Sequence, residues 1–444
     1  MSLQQSLEAL YGLERRRDKL SLEGTRALLA ALGDPHGEWA SVHVAGTNGK
    51  GSVCALVERV LREADIRTGL FTSPHLVDFR ERIRVDGQWA DEERLARRLA
   101  LIAKLPEGRD RTFFEVCTAL AFDDFAAREA EWCVVEVGLG GRLDATNVLD
   151  TSLAVITSIG LEHTEILGTT PARIAAEKAG IIKPDVPVVS GLEPGEAATV
   201  VERTARERGA PLVRAREHAR VEWGADDADG LRFTAEVEPW GRLELGCALH
   251  GRHQLANART ALAALSVLSG CGVEIPAETV VEGFARARWP GRLEACPGEP
   301  RLWWDGAHNP EAFAALLRAW SEDLAFEPPE AVVLALGRDK DVDSLARLLA
   351  PWGSATRLIA TQSRNVRALP ADELRTRLAD AGLAAETGPD VAGAVEDALA
   401  GRRARARGRR GGTPREPGRV LLCGSLFAVA EAMEAFGGAP GEWL

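Results

Sequence analysis

Seven residues carry the clearest chemistry in the sequence: Gly46-Thr47-Asn48-Gly49-Lys50-Gly51-Ser52. Glycines let backbone N–H groups converge on phosphate oxygens, and a following helix adds partial positive charge at its N-terminus. Lys50 can reach terminal phosphates and the Ser52 hydroxyl can ligate Mg²⁺. The spacing departs from the common phosphate loop, because position 44 is Val and Gly51 separates Lys50 from Ser52. Glu136 follows the apolar run Trp132-Cys133-Val134-Val135. A carboxylate at the end of a buried strand is costly unless paired or metal-bound, and α/β sheets place ligands at that end. His163 taken alone reads as a surface histidine at a strand end, Lys178 as an exposed helix lysine, and Asn257 as a helix-capping residue.

Elements of two kinds must position these residues. Val42–Ala45, 132–137, 153–159 and 186–190 read as strands; Lys50–Ala64 and Pro171–Lys178 read as helices. That alternation predicts an α/β fold with a mostly parallel sheet flanked by helices. Between about 211 and 250, the stretches 219–223, 231–237 and 242–249 predict an antiparallel appendage, followed by helices at 253–268 and 277–287. Trp289-Pro290-Gly291 reads as a linker. Beyond it, strands at 301–305, 331–336, 357–360 and 420–423 alternate with helices at 310–320, 344–349 and 371–381. The expected domains are 1–290, which carries the phosphate loop, and 291–444, a smaller Rossmann-like α/β domain.

Composition bounds the function. The chain has 444 residues, 45% hydrophobic and 27% charged, with a net charge of −12. That field disfavours nucleic acid and anionic membranes as partners. No 18-residue apolar run or basic-then-apolar leader is present, and the seven cysteines form no C-x-x-C pair. The expectation is a reduced, cytoplasmic protein. The arginine-rich segment 401–418 reads as a solvated loop rather than a nucleic-acid patch.

The motifs together resemble one family. Ala45–Ser52, Thr72-Ser73-Pro74-His75-Leu76, the run from Glu136 to Asn147, His163-Thr164, Glu177–Ile181, Pro290-Gly291-Arg292, Asp305–Pro310 and Cys423-Gly424-Ser425 fall in the order of folylpolyglutamate and dihydrofolate synthases of the Mur ligase superfamily. The resemblance implies an N-terminal phosphate-loop domain of Mur ligase type and a C-terminal glutamate-ligase domain. It implies ligation of L-glutamate to dihydropteroate and to tetrahydrofolate or its polyglutamates, through an acyl phosphate. Single-activity versions, a UDP-substrate ligase and a nucleotide switch are the rival readings. The early position of the phosphate loop, beginning at Gly46, counts against the UDP ligase, and the distal motifs count against the switch.

The roles that resemblance implies are specific. Thr47, Asn48, Gly49, Lys50, Gly51 and Ser52 cradle ATP, joined by Asn257, Arg292, Asp305 and His308. Two Mg²⁺ sites draw on Ser52, Ser73, Glu136 and His163; a monovalent cation is a further expected cofactor. Lys50 and His163 serve the chemistry, and Lys178 carries a carbamate. The pterin is bound by Thr112, Phe113, Phe114, Glu115, Leu143, Asp144 and Ala145. Ser73, Pro74, His75 and Arg82 belong to a substrate loop, where Arg80, Arg82 and Arg84 offer charge to a carboxylate or stand as exposed strand-face arginines. A monomer is expected. Two positions depart from the family pattern: Glu162 precedes His163 where Asp is common, and Glu311 follows Pro310 where some members carry His.

Overall fold

The structure is a computed structural model describing residues 3–15, 21–227, 229–406 and 418–437. Its largest sheet has eight strands, in the order Gln88–Trp89, Ile83–Val85, Thr68–Phe71, Trp132–Glu136, Ala40–Ala45, Leu153–Ile156, Val188–Ser190 and Leu212–Arg214. From Thr68–Phe71 onward all neighbours are parallel; the first two strands in that order join by antiparallel pairing. The middle strands are buried on both faces, which is why they read as unbroken apolar runs rather than alternating ones. Val44 sits opposite Glu136, and Ala45 opposite Ile156. Three strands therefore end side by side, delivering three loops to one edge of the sheet.

Helix Lys50–Glu63 packs on one face of the sheet with His253–Gly270 and Ala277–Arg286. Helix Phe113–Ala127 covers the other face, with Phe122 and Phe125 fully buried. This second helix is apolar nearly all round, so it shows no amphipathic period in the sequence. Helices Leu3–Tyr11, Glu23–Ala31 and Glu92–Ile102 complete that side. The expected appendage is a three-stranded antiparallel sheet of Arg220–Asp227, Gly230–Val237 and Gly241–Cys247.

The second sheet has six strands, in the order Glu294–Cys296, Glu299–Asp305, Val420–Cys423, Ala331–Leu334, Arg357–Ala360 and Ala385–Thr387. Only its first pair is antiparallel.

Three expectations need correction. The strand expected to reach 159 stops at Ile156, because Thr157 and Ser158 turn their hydroxyls to the phosphate loop. The helix expected over 310–320 ends at Arg318 and closes with a wider turn, Ala319–Asp323. Helix Val391–Ala406 runs into the stretch expected to be loop, and 407–417 lie outside the described residues. No helix among the described residues is long and apolar enough to cross a membrane.

Candidate active site

The phosphate loop leaves strand Ala40–Ala45 and enters the helix at Lys50. Gly49 sits at φ 84°, and a Cβ there would stand 2.1 Å from Asn257 Oδ1, so glycine is required twice over. The loop is tied to the end of the neighbouring strand. Asn48 N donates to Ser158 Oγ (2.9 Å), and the hydroxyls of Thr157 and Ser158 donate to Asn48 O (2.8 and 2.9 Å). Thr47 Oγ1 accepts from Gly160 N at 3.0 Å. These bonds to 157–160 had no signal in the local sequence pattern.

Two lysines converge on this loop. Lys50 Nζ donates to Gly46 O and Thr47 O, both at 3.1 Å. Lys178 Nζ donates to Gly46 O at 2.7 Å. Lys178 is buried, not the exposed helix lysine of the local reading. Burial, reinforced by the Lys50 charge, pulls its pKa down to about 7. Ser52 lies buried in the first helical turn beside Lys50.

Glu136 ends its strand buried, as its position suggested. One oxygen accepts Ser73 N at 2.9 Å. The other accepts no hydrogen bond among the described residues, and the carboxyl lines a cleft shared with Ser73. Burial pushes its pKa up, against the pull of Lys50. An under-satisfied buried carboxylate that lines a cleft with Ser73 offers oxygen donors of the kind Mg²⁺ takes. His163 precedes the short helix Thr164–Leu167. It is exposed, in a left-handed backbone conformation (φ 50°) that costs roughly 1–2 kcal/mol for a residue with a Cβ.

Asp144 is equally buried but fully engaged. It accepts Leu139 N (2.8 Å), Thr146 N (3.0 Å) and Thr146 Oγ1 (2.5 Å). The Thr146 oxygen in turn contacts His43 Nε2 at 2.8 Å. Since Thr146 gives its proton to the carboxylate, the network assigns the imidazole proton to Nε2. His43 is wholly buried and its pKa falls to about 3, so it is neutral. The sequence assigns no role to His43, or to Thr146 within the run from Glu136 to Asn147, because their importance lies in this contact.

The expected pterin residues separate. Thr112 and Glu115 form a capping box: Glu115 N donates to Thr112 Oγ1 (3.3 Å) and Thr112 N to Glu115 Oε2 (2.8 Å). Phe113 is buried and stacks on Tyr11 with centroids 5.7 Å apart. Phe114 is half-buried against Gly138, where a Cβ would lie 2.4 Å from its ring. Leu143 is half-buried and Ala145 buried. Phe114 is therefore the aromatic ring placed at the strand-end edge.

The loop after Thr68–Phe71 is organised by a residue that sequence reading passed over. Buried Glu81 accepts three backbone donors, Leu76 N (2.7 Å), Val77 N (2.7 Å) and Asp78 N (2.6 Å). Arg82 Nε donates to His75 Nδ1 at 2.7 Å, and burial with the Arg82 charge takes the His75 pKa to about 3. Pro74 is exposed. Arg82 and Arg84 are buried, so neither is an exposed strand-face arginine.

The second domain closes over this edge. Arg292 follows the linker, and its Nη1 donates to Gly291 O at 3.1 Å. Asp305 ends the strand Glu299–Asp305, buried, accepting Ala307 N at 2.6 Å. Asn309 Nδ2 donates to Asn48 Oδ1 (3.0 Å), while Asn48 Nδ2 donates to Glu311 Oε2 (3.1 Å). His308 Nε2 lies 2.8 Å from Glu162 Oε1, and Lys340 Nζ 3.7 Å from the same oxygen. Both residues that depart from the family pattern, Glu162 and Glu311, thus make contacts between the domains. Asn257 is not a cap; it lies one turn inside helix His253–Gly270, donating to Gln254 Oε1 at 2.7 Å and facing Gly49. Trp289 packs on the helix start, since a Cβ on Gly51 would lie 2.5 Å from its ring.

Residues 44–265 match the Mur ligase middle domain, and 291–425 match the Mur ligase glutamate ligase domain. The chain is 34% identical over 433 residues to the dihydrofolate synthase/folylpolyglutamate synthase of Escherichia coli K12, covering 96% of this chain and 94% of that one. It is 36% identical to a probable bifunctional folylpolyglutamate synthase/dihydropteroate synthase of Haloferax volcanii, covering 97% of this chain but only half of that longer protein. Among solved structures it is similar to E. coli FolC in complex with DHPP and ADP (TM-score 0.82, 30% identity, 99% of each chain). It is also similar to Mycobacterium tuberculosis folylpolyglutamate synthase complexed with ADP (TM-score 0.87, 32% identity, 98% of each chain). A Yersinia pestis bifunctional synthase with AMPPNP and a Mn ion is a third such neighbour (TM-score 0.80, 29% identity, 98% of each chain). The chain belongs to the Mur ligase family, with the dihydrofolate synthase/folylpolyglutamate synthases as its relatives.

Proposed function

We propose that the chain joins L-glutamate to a pterin-bearing carboxylate using ATP, accepting both dihydropteroate and tetrahydrofolate or its polyglutamates. The observation that carries the reading is the convergence of Lys50, Lys178 and Glu136 at one strand edge, faced by Arg292, Asp305 and His308 from the second domain. An acceptor carboxylate oxygen attacks the terminal phosphorus of ATP, the bond to ADP breaks, and an acyl phosphate forms. The glutamate amine then attacks the carbonyl carbon, phosphate leaves, and the amine loses a proton as the amide forms. Such transfer depends on positioning and charge neutralisation rather than a protein nucleophile.

Each residue has a part in that scheme. Lys50 exchanges its loop carbonyls for phosphate charge, and Arg292 reaches the phosphates from across the cleft. Asn257, Asp305 and His308 hold the nucleoside. Ser52, Ser73, Glu136 and His163 are the residues that would hold Mg²⁺, which when bound neutralises phosphate charge as the acyl phosphate forms. Relatives crystallised with nucleotides and with Mn support a nucleotide and a divalent ion here. Phe114 and the 143–145 backbone form the pterin wall. Both walls of the cleft come from one chain, so a monomer suffices.

Lys178 carries the carbamate in this reading. At a pKa near 7 much of its amine is neutral at physiological pH, the form that adds CO₂ with release of a proton. The resulting anion would reverse the charge facing Lys50. Labelled ¹³C-bicarbonate should give a carbamate carbon resonance in the wild type and none in Lys178→Met; equal spectra would remove this assignment.

The reaction itself is tested by incubating purified protein with Mg²⁺-ATP, L-glutamate and either dihydropteroate or tetrahydrofolate, reading products by mass. One added glutamate in both tubes is the expected result. Product in one tube alone identifies a single-activity enzyme. ATP hydrolysis without product in either would overturn the folate reading.

A further inference from the structure

Three arginines follow the substrate loop, and the structure separates them. Arg80 is neutralised by Asp78, with Nε and Nη2 donating at 2.9 and 2.8 Å. Arg82 gives its Nε to His75 and lies over the Phe79 and Phe113 rings. Arg84, paired with Leu70 in the sheet, is 2% exposed, yet its Nε and Nη1 have no hydrogen-bond partner. Among the described residues no carboxylate lies within 4.0 Å of it. Two acidic groups act on it through space: Glu81, which accepts three backbone donors, and Glu58, which pairs with Arg62 at 3.1 Å while its Oε1 accepts no hydrogen bond. Burial accordingly pulls the Arg84 pKa down to about 10.

A buried guanidinium without an ion-pair partner is expensive, normally by several kcal/mol. Its position says what relieves it. Arg84 lines the cleft between the domains, which also reaches Ser73, Glu136, Trp289, Arg292 and Leu426. A ligand held at Arg84 therefore lies in the same cleft as the carboxylate and serine placed at the reacting centre.

We propose that Arg84 is the anchor for a substrate carboxylate in this interdomain cleft, bound through its forked guanidinium. The inference rests on the ligase reading and supplies a subsite to it. Glutamate chemistry offers two sources. Free L-glutamate brings carboxylates that take no part in the attack, and tetrahydrofolate brings a glutamyl tail with one carboxylate to spare. Dihydropteroate has a single carboxylate, the one that is activated, so the two sources can be told apart. Planar bidentate pairing makes Arg the fitting residue, and Lys a poor replacement.

The test uses the full chain carrying Arg84→Gln and, as a fold-preserving partner that keeps the charge, Arg84→Lys. Losing a charged hydrogen bond to substrate should raise one KM about tenfold or more in both variants while kcat stays within about threefold. A rise in the KM for L-glutamate with either acceptor places the free amino acid at Arg84. A rise in the KM for tetrahydrofolate alone, with dihydropteroate unaffected, places the acceptor tail there. All KM values within about twofold of wild type, with lowered melting temperature, would overturn the proposal and leave Arg84 as a counter-charge to Glu58 and Glu81. Calorimetric titration of L-glutamate and of p-aminobenzoyl-glutamate reads the same anchor without turnover. An inactive wild type that still binds one of them, with binding lost in Arg84→Gln, would sink the ligase reading and keep the subsite. Equal binding by wild type and variant would sink the subsite alone.

Discussion

Glu136 and Asp144 are eight residues apart, both buried, and both at the ligand-bearing edge of one sheet, yet their surroundings differ. Asp144 accepts two backbone donors and a hydroxyl, backed by neutral His43. Glu136 accepts one backbone donor and opens onto the cleft. The first carboxylate builds a loop; the second is left with capacity to bind. Burial is costly for both, so what distinguishes a site from a scaffold here is unmet demand. Arg84 and the Lys50–Lys178 pair fall on the Glu136 side of that division, and Glu81 falls with Asp144.

The largest effect should come from the unmet side. Lys50→Ala should lower turnover about 10²–10³-fold with the melting temperature unchanged, as removal of one donor to developing charge does elsewhere. Turnover within about twofold of wild type would move Lys50 out of the site.

Stability should sort the carboxylates in the opposite order. Asp144→Ala strands three donors and should cost about 3 kcal/mol or more in denaturant unfolding. Glu136→Gln keeps an acceptor for Ser73 N and removes a buried charge, so its stability should stay within about 1 kcal/mol of wild type while activity collapses. Equal destabilisation of the two would erase the distinction.

A third effect is visible in pH. The folded His43 pKa, about 3, lies below its ordinary value of 6.5. Between those values the unfolded chain takes up a proton that the folded chain does not, so this stabilisation is complete above about pH 6.5 and lost as pH falls toward 3. His43→Gln should flatten that decline in unfolding midpoints measured from about pH 7 to about pH 4. An unchanged slope would mean that burial does not hold His43 neutral in the folded chain.

The smallest effect belongs to the exposed contact between domains. Glu311→Ala removes the acceptor of Asn48 Nδ2 and should change the KM for ATP by about two- to fivefold, without altering the KM for the acceptor.

What could be read from sequence follows the same physics. The phosphate loop, its strand and its helix were legible because glycine, lysine and serine act within seven residues. The parallel sheet was legible because doubly buried strands give unbroken apolar runs. Helix Phe113–Ala127 was not, since a helix buried on all sides has no amphipathic period. The strand through Leu153–Ile156 was read too long, because Thr157 and Ser158 suit a strand until a distant loop claims their hydroxyls. Local pattern gives Lys178 and Arg84 only surface readings, their other roles coming from the resemblance, and gives His43 none; their burial and partners appear only in the fold. Asn257 taken alone reads as a cap, and only the resemblance puts it at ATP, because Gly49, the residue it faces, is remote in sequence.

The acyl phosphate is the step on which the whole account depends, and isotope transfer tests it directly. Dihydropteroate labelled with ¹⁸O in both carboxylate oxygens should yield inorganic phosphate carrying one ¹⁸O for each amide formed, because the carboxylate oxygen that attacks phosphorus departs with it. Amide product accompanied by unlabelled phosphate would contradict the proposed chemistry, since the acceptor would then have been activated without its oxygen ever bonding to phosphorus.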